Sequence, residues 1–318
     1  MSRPLLIDVH VHVMPSPEDP IRDGYEIWEY GARGADVVFC DDRGTLEDAL
    51  AAMDAAGFSR VVAANMFAAD VVRDEAIAEL PVDLPGPERD RRIAEIEASM
   101  PDRLRDFNRW ICDVARDHPS ITPFVAADPH ILGGEAGAAH LREMAEDHGA
   151  RGIKIHPIVQ RFFPSEPKMA PVFRVCEDLG LTVLSHSGLA RGDDQWAEPN
   201  AFASLLQTFP RLILLMAHLG GGSWTQTRAF AQAFPTATFD LCEIIEWTGA
   251  ANAPTDDELG QLIAAIGPER VMMGSDYPWY DLSHTVERVQ SIPGLSDEQR
   301  EGILGTNAGR LLELPPGW

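Results

Sequence analysis

Basic residues are scarce in this chain. Lys and Arg number 26 against 50 Asp and Glu, a formal net charge of −24, and a field of that sign repels phosphate backbones and anionic lipid surfaces. Nucleic acid and membrane are therefore excluded as expected partners. Cysteine is scarce too. Cys40, Cys112, Cys176 and Cys242 are the only four, far apart and without a CxxC pair, which argues against a disulfide framework or thiolate metal site and for free buried thiols with no evident chemistry. No stretch reaches the ~18 apolar residues needed to span a bilayer, and MSRPLLIDVH lacks the apolar run of a secretory signal. The expected location is the cytoplasm. There is also no repeat of fixed period and no low-complexity tail.

What is present is an ordinary globular composition, 45% hydrophobic and 24% charged, enough for a large core. A length of 318 residues would allow two domains at ~150 residues each, yet one α/β barrel also reaches this size. Eight β-like runs recur: LLIDVHV, SRVVAAN, ITPFVAA, RGIKIHP, LTVLSHS, LILLMAH, ATFDLCE and RVMMGSD. Between them lie segments with apolar residues three and four apart, such as TLEDALAAMDAAG, DRLRDFNRWICDVARD and TDDELGQLIAAIG. Short apolar strands each followed by a helix are what a parallel sheet covered by helices requires. The pattern predicts an α/β fold, a single (β/α)8 TIM-type barrel over residues 1–318. Two excursions exceed ordinary βα loops. Residues 14–43, with Tyr25, Trp28 and Tyr30, follow the first strand and are expected to cover the barrel mouth. Residues 67–101, containing PVDLPGPERDRR, lead into a long helix expected to end near His118.

Six polar residues sit where such a barrel would bring them together. His10 and His12 lie in the first strand, His156, His186 and His218 at the ends of the fourth, fifth and sixth, and Asp276 at the end of the eighth. C-terminal strand ends converge on one mouth, and residues two apart on a strand share a face, so His10 and His12 can bind one ion together. SHSG, AHLGGG and GSDYP each set a titratable group after an apolar run and before a tight turn. Their glycines permit positive φ and close approach to a substrate, or serve only the turns. The remaining histidines, His118, His130, His140, His148 and His284, read as surface or structural.

With these motifs the chain resembles the amidohydrolase superfamily, in its amidohydrolase-related branch, which includes aminocarboxymuconate semialdehyde decarboxylase and many metal-dependent hydrolases. The resemblance runs from DVHVH to GTNAGRLL. It implies His10, His12, His186 and Asp276 as metal ligands and His218 as the residue activating a metal-bound water, with Asp276 also able to move protons. Such ligands suit Zn2+ first, while Mn2+, Fe2+ or Co2+ would accept the same set. One ion is expected. Lys154, in GIKIHP, resembles the fourth-strand lysine that some members carbamylate to bridge a second metal; it is otherwise a substrate-binding cation or barrel-floor residue.

His156 reads as a substrate-contacting or proton-donating group, or as a cap on its strand end. Glu243 would orient His218 or meet a cationic substrate group, with Glu246 and Trp247 close behind. Arg43, Arg161 and Arg191 are candidate carboxylate clamps, and Trp224, Trp247, Trp279 and Tyr280 candidate walls for a ring. The expected activity is hydrolysis of an amide, lactone or related carboxyl-derived bond of a small molecule by metal-activated water. The alternative is non-oxidative decarboxylation of a small unsaturated or aromatic acid. Binding without turnover accounts poorly for so many converging titratable groups. Assembly as monomer or homodimer stays open.

Overall fold

The eight apolar runs form eight strands: β1 Ile7–Val11, β2 Arg60–Ala64, β3 Ile121–Ala126, β4 Gly152–Ile155, β5 Thr182–Ser185, β6 Ile213–Met216, β7 Thr238–Asp240 and β8 Val271–Met272. The computed structural model describes residues 5–18, 29–31, 37–189 and 196–314. All strands are parallel and lie in sequence order in one sheet, with helices between them. This is the (β/α)8 barrel.

Local chemistry accounts for the helices that return each strand. Thr45 and Asp48 cap the helix Leu46–Ala56 reciprocally, and Gly57, at φ 82°, ends it. Thr255 and Glu258 do the same for Asp256–Ile266. Side chains alternate along the strands. Val62, Phe124, Leu184, Leu215 and Met272 share one core cluster. Their neighbours one residue along, Val61, Val125, Val183, Leu214 and Val271, pack in a larger cluster with helix residues such as Met53, Ile111, Leu141 and Val172. Lys154 lies between Ile153 and Ile155, and Asp240 between Phe239 and Leu241, all four in the larger cluster. Alternation therefore turns Lys154 and Asp240 into the barrel.

The second excursion contains the helix Ala69–Ala78 and then a 32-residue helix, Gly86–Asp117, that runs through Pro101 and ends at His118. Pro101 is thus no boundary. A proline removes one N–H from the helical ladder, and the run of helix formers on both sides carries the helix across. Among the described residues no helix is long and apolar enough to cross a membrane.

The two edge strands are held by backbone bonds rather than a regular ladder. Val9 N–H donates to Met273 O at 3.0 Å, Asp276 N–H to His10 O at 2.9 Å and His12 N–H to Tyr277 O at 2.7 Å. The fully buried Asp8 carboxylate reinforces the seam, accepting from His10 N–H at 2.8 Å and from Ser275 N–H at 3.1 Å. Replacing Asp8 with Ala orphans two buried donors, so Asp8→Ala should lose roughly 2–4 kcal/mol of stability. Urea unfolding measures it, and an unchanged midpoint would place the strength of the seam elsewhere.

Candidate active site

His10 projects from β1, and His12 stands one residue beyond it. His156, His186 and His218 follow β4, β5 and β6, while Asp276 lies four residues past the short β8. His10 and His12 have ring centroids 5.2 Å apart, and His10 and His218 5.4 Å. The His186 ring meets His218 edge-on at 4.7 Å and stacks on His156 at 3.9 Å. Asp276 Oδ1 lies 3.1 Å from His12 Nε2 and 3.4 Å from His10 Nε2. All five rings and this carboxylate therefore share one centre.

Backbone geometry aims three of these groups. His218, Glu243 and Asp276 have φ of 61°, 62° and 61°, a left-handed conformation uncommon outside glycine and stored mainly at functional sites. His218 is held there by its N–H bond to Asp240 Oδ1 at 2.8 Å, Asp276 by its bond to His10 O.

Burial sorts the charges. It pushes the pKa values of His10, His156 and His186 well below the ordinary imidazole value, with Lys154 or a neighbouring histidine adding to the effect. His218 is lowered by burial too, against the pull of Asp276 and Asp240. Burial alone would raise Asp276, but His10, His12 and His218 outweigh it and hold the carboxylate well below its usual range. Neutral imidazoles beside an ionised carboxylate are the donor state a divalent ion requires. His218, Glu243 and Asp276 offer ligand atoms within 4.8 Å of one another, as do His10, Cys242 and Asp276. Apart from the Cys242 sulfur, the donors are nitrogen and carboxylate oxygen, which suit Zn2+ or Mn2+. An amine head sits among them, Lys154 Nζ lying 2.5 Å from His10 Nε2, and burial lowers its pKa from the ordinary lysine value against the pull of Asp276.

The other expected residues divide. His156 caps the short helix Pro157–Gln160, its Nδ1 accepting from Val159 N–H at 3.4 Å, while its ring faces His186. Glu243 Oε2 is 3.4 Å from His218 Nδ1. Trp279 meets His12 edge-on at 4.9 Å. Trp247 stands further out, stacked on Tyr30 at 5.5 Å and donating to Tyr280 Oη at 2.8 Å. Glu246 turns away to His284, at 2.8 Å, and Trp224 is half-buried. Arg161 stands on the rim, its guanidinium 72% exposed and 4.0 Å from Asp70. Arg43 donates to Pro17 O. Tyr25, Trp28 and Arg191 lie outside the described residues.

Cys242 is a free buried thiol, as expected of the cysteines, but it lies against the site. Its Sγ lies 2.9 Å from His10 Nδ1 and 3.1 Å from His218 Nδ1. Sequence reasoning also passed over Asp8 and Asp240, although an acid inside an apolar strand run was the available signal. Glu29 was missed as well. From the first excursion its buried carboxylate accepts from Leu189 N–H at 3.1 Å and Gly222 N–H at 3.3 Å. A Cβ on Gly188 or Gly221 would collide with that carboxylate, so these glycines of SHSG and AHLGGG admit the chain's own acid.

Fold and site together define the class first: a barrel enzyme with its reactive groups gathered at the strand C-termini. The chain belongs to the amidohydrolase family, whose sequence pattern matches residues 7–314. It is 28% identical over 212 residues to the 2-amino-3-carboxymuconate-6-semialdehyde decarboxylase of Dictyostelium discoideum, a match covering 57% of this chain and 58% of that relative. Among solved structures, a Polaromonas dihydroxybenzoic acid decarboxylase with bound manganese and 2-nitroresorcinol superposes with TM-score 0.66 at 15% identity, covering 98% of each chain. A 5-carboxyvanillate decarboxylase of Novosphingobium aromaticivorans, complexed with manganese and a nitrobenzoic acid, gives 0.60 at 16%, covering 98% of this chain and 96% of that one. An uncharacterised TIM-barrel protein of Bordetella bronchiseptica gives 0.67 at 20%, covering 97% and 98%.

Burial raises Glu29 to about 7, against the opposing bonds from Tyr30, Gly222 and Leu189. The folded chain then holds a proton that the unfolded chain has released between pH ~4.5 and ~7, so this group lowers stability as pH rises through that window. Asp8, raised to about 7 mainly by burial, acts with the same sign. The buried histidines, lowered by burial, act with the opposite sign over the lower part of this range, so the readout is a difference: from pH 5 to 8 the urea midpoint of Glu29→Gln should fall less, or rise more, than that of the native protein. Equal slopes in the native protein and the Glu29→Gln variant would contradict this.

Proposed function

We propose that this protein is a metal-dependent, non-oxidative decarboxylase of a small unsaturated or aromatic acid. The observation that carries the reading is the buried focus of His10, His12 and His218 on Asp276, in a chain whose curated relative is a decarboxylase. Two similar barrels are decarboxylases that hold manganese. These comparisons favour decarboxylation over hydrolysis of an amide or lactone, the activity expected first.

In this reading His10, His12, His186 and Asp276 hold one divalent ion, Mn2+ or Zn2+. Held there, the ion would supply Lewis-acid binding and charge neutralisation for the substrate. His218 moves the proton. Its Nδ1 lies 3.2 Å from Cys242 O and 3.4 Å from Glu243 Oε2, so Nδ1–H is the donor on that side and Nε2, which bears the lone pair in the neutral ring, takes up the transferable proton and hands it on. Glu243 steadies the imidazolium form. The bond between the substrate carbon and its carboxylate breaks, CO2 leaves, and the electron pair left on carbon takes the proton; in sum, one carboxylate and one proton give CO2 and the C–H product. Trp279, edge-on to His12, walls the ring or unsaturated chain, and His156 borders the far side of the site beside His186. Lys154, among the ligands rather than on the rim, balances the carboxylates Asp276 and Asp240.

The test is a panel of aromatic and unsaturated acids, with amides and lactones beside them, offered to Mn2+- and Zn2+-loaded protein. CO2 release from an acid is expected. Hydrolysis of an amide or lactone with 18O uptake from water, and no CO2 from any acid, would overturn the reading. With the substrate in hand, His218→Asn should keep its metal and lose roughly 10²–10⁴-fold in kcat, whereas His12→Ala should lose the metal. Elemental analysis beside turnover separates the two, and a metal-free His218→Asn protein would move His218 into the ligand set.

A further inference from the structure

Neither the Asp240 carboxylate nor the Cys242 thiol meets the substrate in the reaction just described, yet both lie directly behind the site. Asp240 is fully buried on β7. Its Oδ1 receives three donors: His218 N–H at 2.8 Å, Cys242 N–H at 3.3 Å and the Cys242 thiol at 2.8 Å. Oδ2 is left for His10 Nδ1, at 3.1 Å. With Asp240 ionised its Oδ2 accepts, so Nδ1 of His10 carries the hydrogen, and the lone pair is then on Nε2, the atom that faces Asp276 and Lys154.

The thiol repeats the instruction. Its one hydrogen points at Asp240, which turns sulfur lone pairs toward Nδ1 of both His10 and His218. The Cys242 carbonyl requires a hydrogen on His218 Nδ1 as well.

We infer that Asp240, seconded by Cys242, is the positioning residue of the metal centre: it fixes His10 as the Nδ1–H tautomer and so presents Nε2 to the ion. The inference rests on the reading of His10 as a ligand. Partners of this kind behind a metal-binding histidine typically change metal affinity 10–100-fold when removed.

Asp240→Asn is the discriminating variant. Two backbone N–H groups still demand the amide oxygen at the Oδ1 position, which leaves the NH2 group aimed at His10 Nδ1. That NH2 must donate, so His10 is driven to the Nε2–H tautomer with no lone pair for the ion. Competition of Mn2+ and Zn2+ against a chromogenic chelator should show affinity lower by about 10–100-fold, while the melting temperature of the metal-free variant stays near that of metal-free native protein. Cys242→Ser keeps a donor to Asp240 and should stay within about threefold of native affinity.

A folded Asp240→Asn protein that binds metal as tightly as native overturns the inference. Should that variant not fold, nitrogen-15 NMR of labelled histidine in the metal-free native protein decides alone, with His10 assigned by the signal missing from His10→Gln. Nδ1–H on His10 supports the inference, and Nε2–H overturns it. A native protein that binds neither ion would instead defeat the metal centre of the proposed function, and the tautomer would still be read separately.

Discussion

The seam between β1 and β8 is the constraint on which the site depends. These strands are farthest apart in sequence, and each leads into part of the proposed metal-binding set: His10 and His12 on one side, Asp276 on the other. The bond from Asp276 N–H to His10 O ties the backbones of two site residues directly, and Asp8 bridges His10 to Ser275, the residue before Asp276. Closing the barrel and assembling the centre are therefore one event. A slip of one residue would turn both histidines out of the barrel, because side chains alternate along a strand.

The seam is backed by a second arrangement on β6 and β7. Left-handed turns at His218 and Glu243 bend these side chains over the mouth, and such conformations persist only where the surroundings over-determine them. Asp240 does so for His218 by accepting its N–H. The same carboxylate faces His10, so the buried acid of β7 joins the strained turn after β6 to the first strand. Glu29 extends the logic outward, since it enters between the turns after β5 and β6 and ties them to the first excursion.

Much of this was legible in the sequence because barrel topology converts position along a strand into position in space. The eight apolar runs became the eight strands, and the histidines at their ends share one centre. The supporting residues were harder to see. Asp8 and Asp240 stand inside strand runs, where periodicity reports burial but not which backbone donor an acid will meet. Cys242 reads as a small apolar residue until β1 and β6 are folded against it. Glu29 and the glycines of SHSG and AHLGGG lie more than 150 residues apart, so the glycines suggested space for a substrate when part of that space belongs to a carboxylate of the chain. Pro101 misled for another reason, since one missing hydrogen bond does not stop a helix with strong formers on both sides.

The chemistry follows from a contrast between the outside and the inside of the barrel. The whole chain carries −24, but its interior holds neutral imidazoles, one lysine and a few carboxylates, each set by burial and by one or two contacts. Desolvation works in opposite directions on the two kinds of group: it lowers His10, His156 and His186 and by itself would raise Asp276. Removing a ring thus does more than delete a donor atom, because each ring also packs on its neighbours or meets Asp276. These groups are mutually dependent, and this is why the centre is best understood as one unit supported from behind by Asp240 rather than as separate strand-end residues.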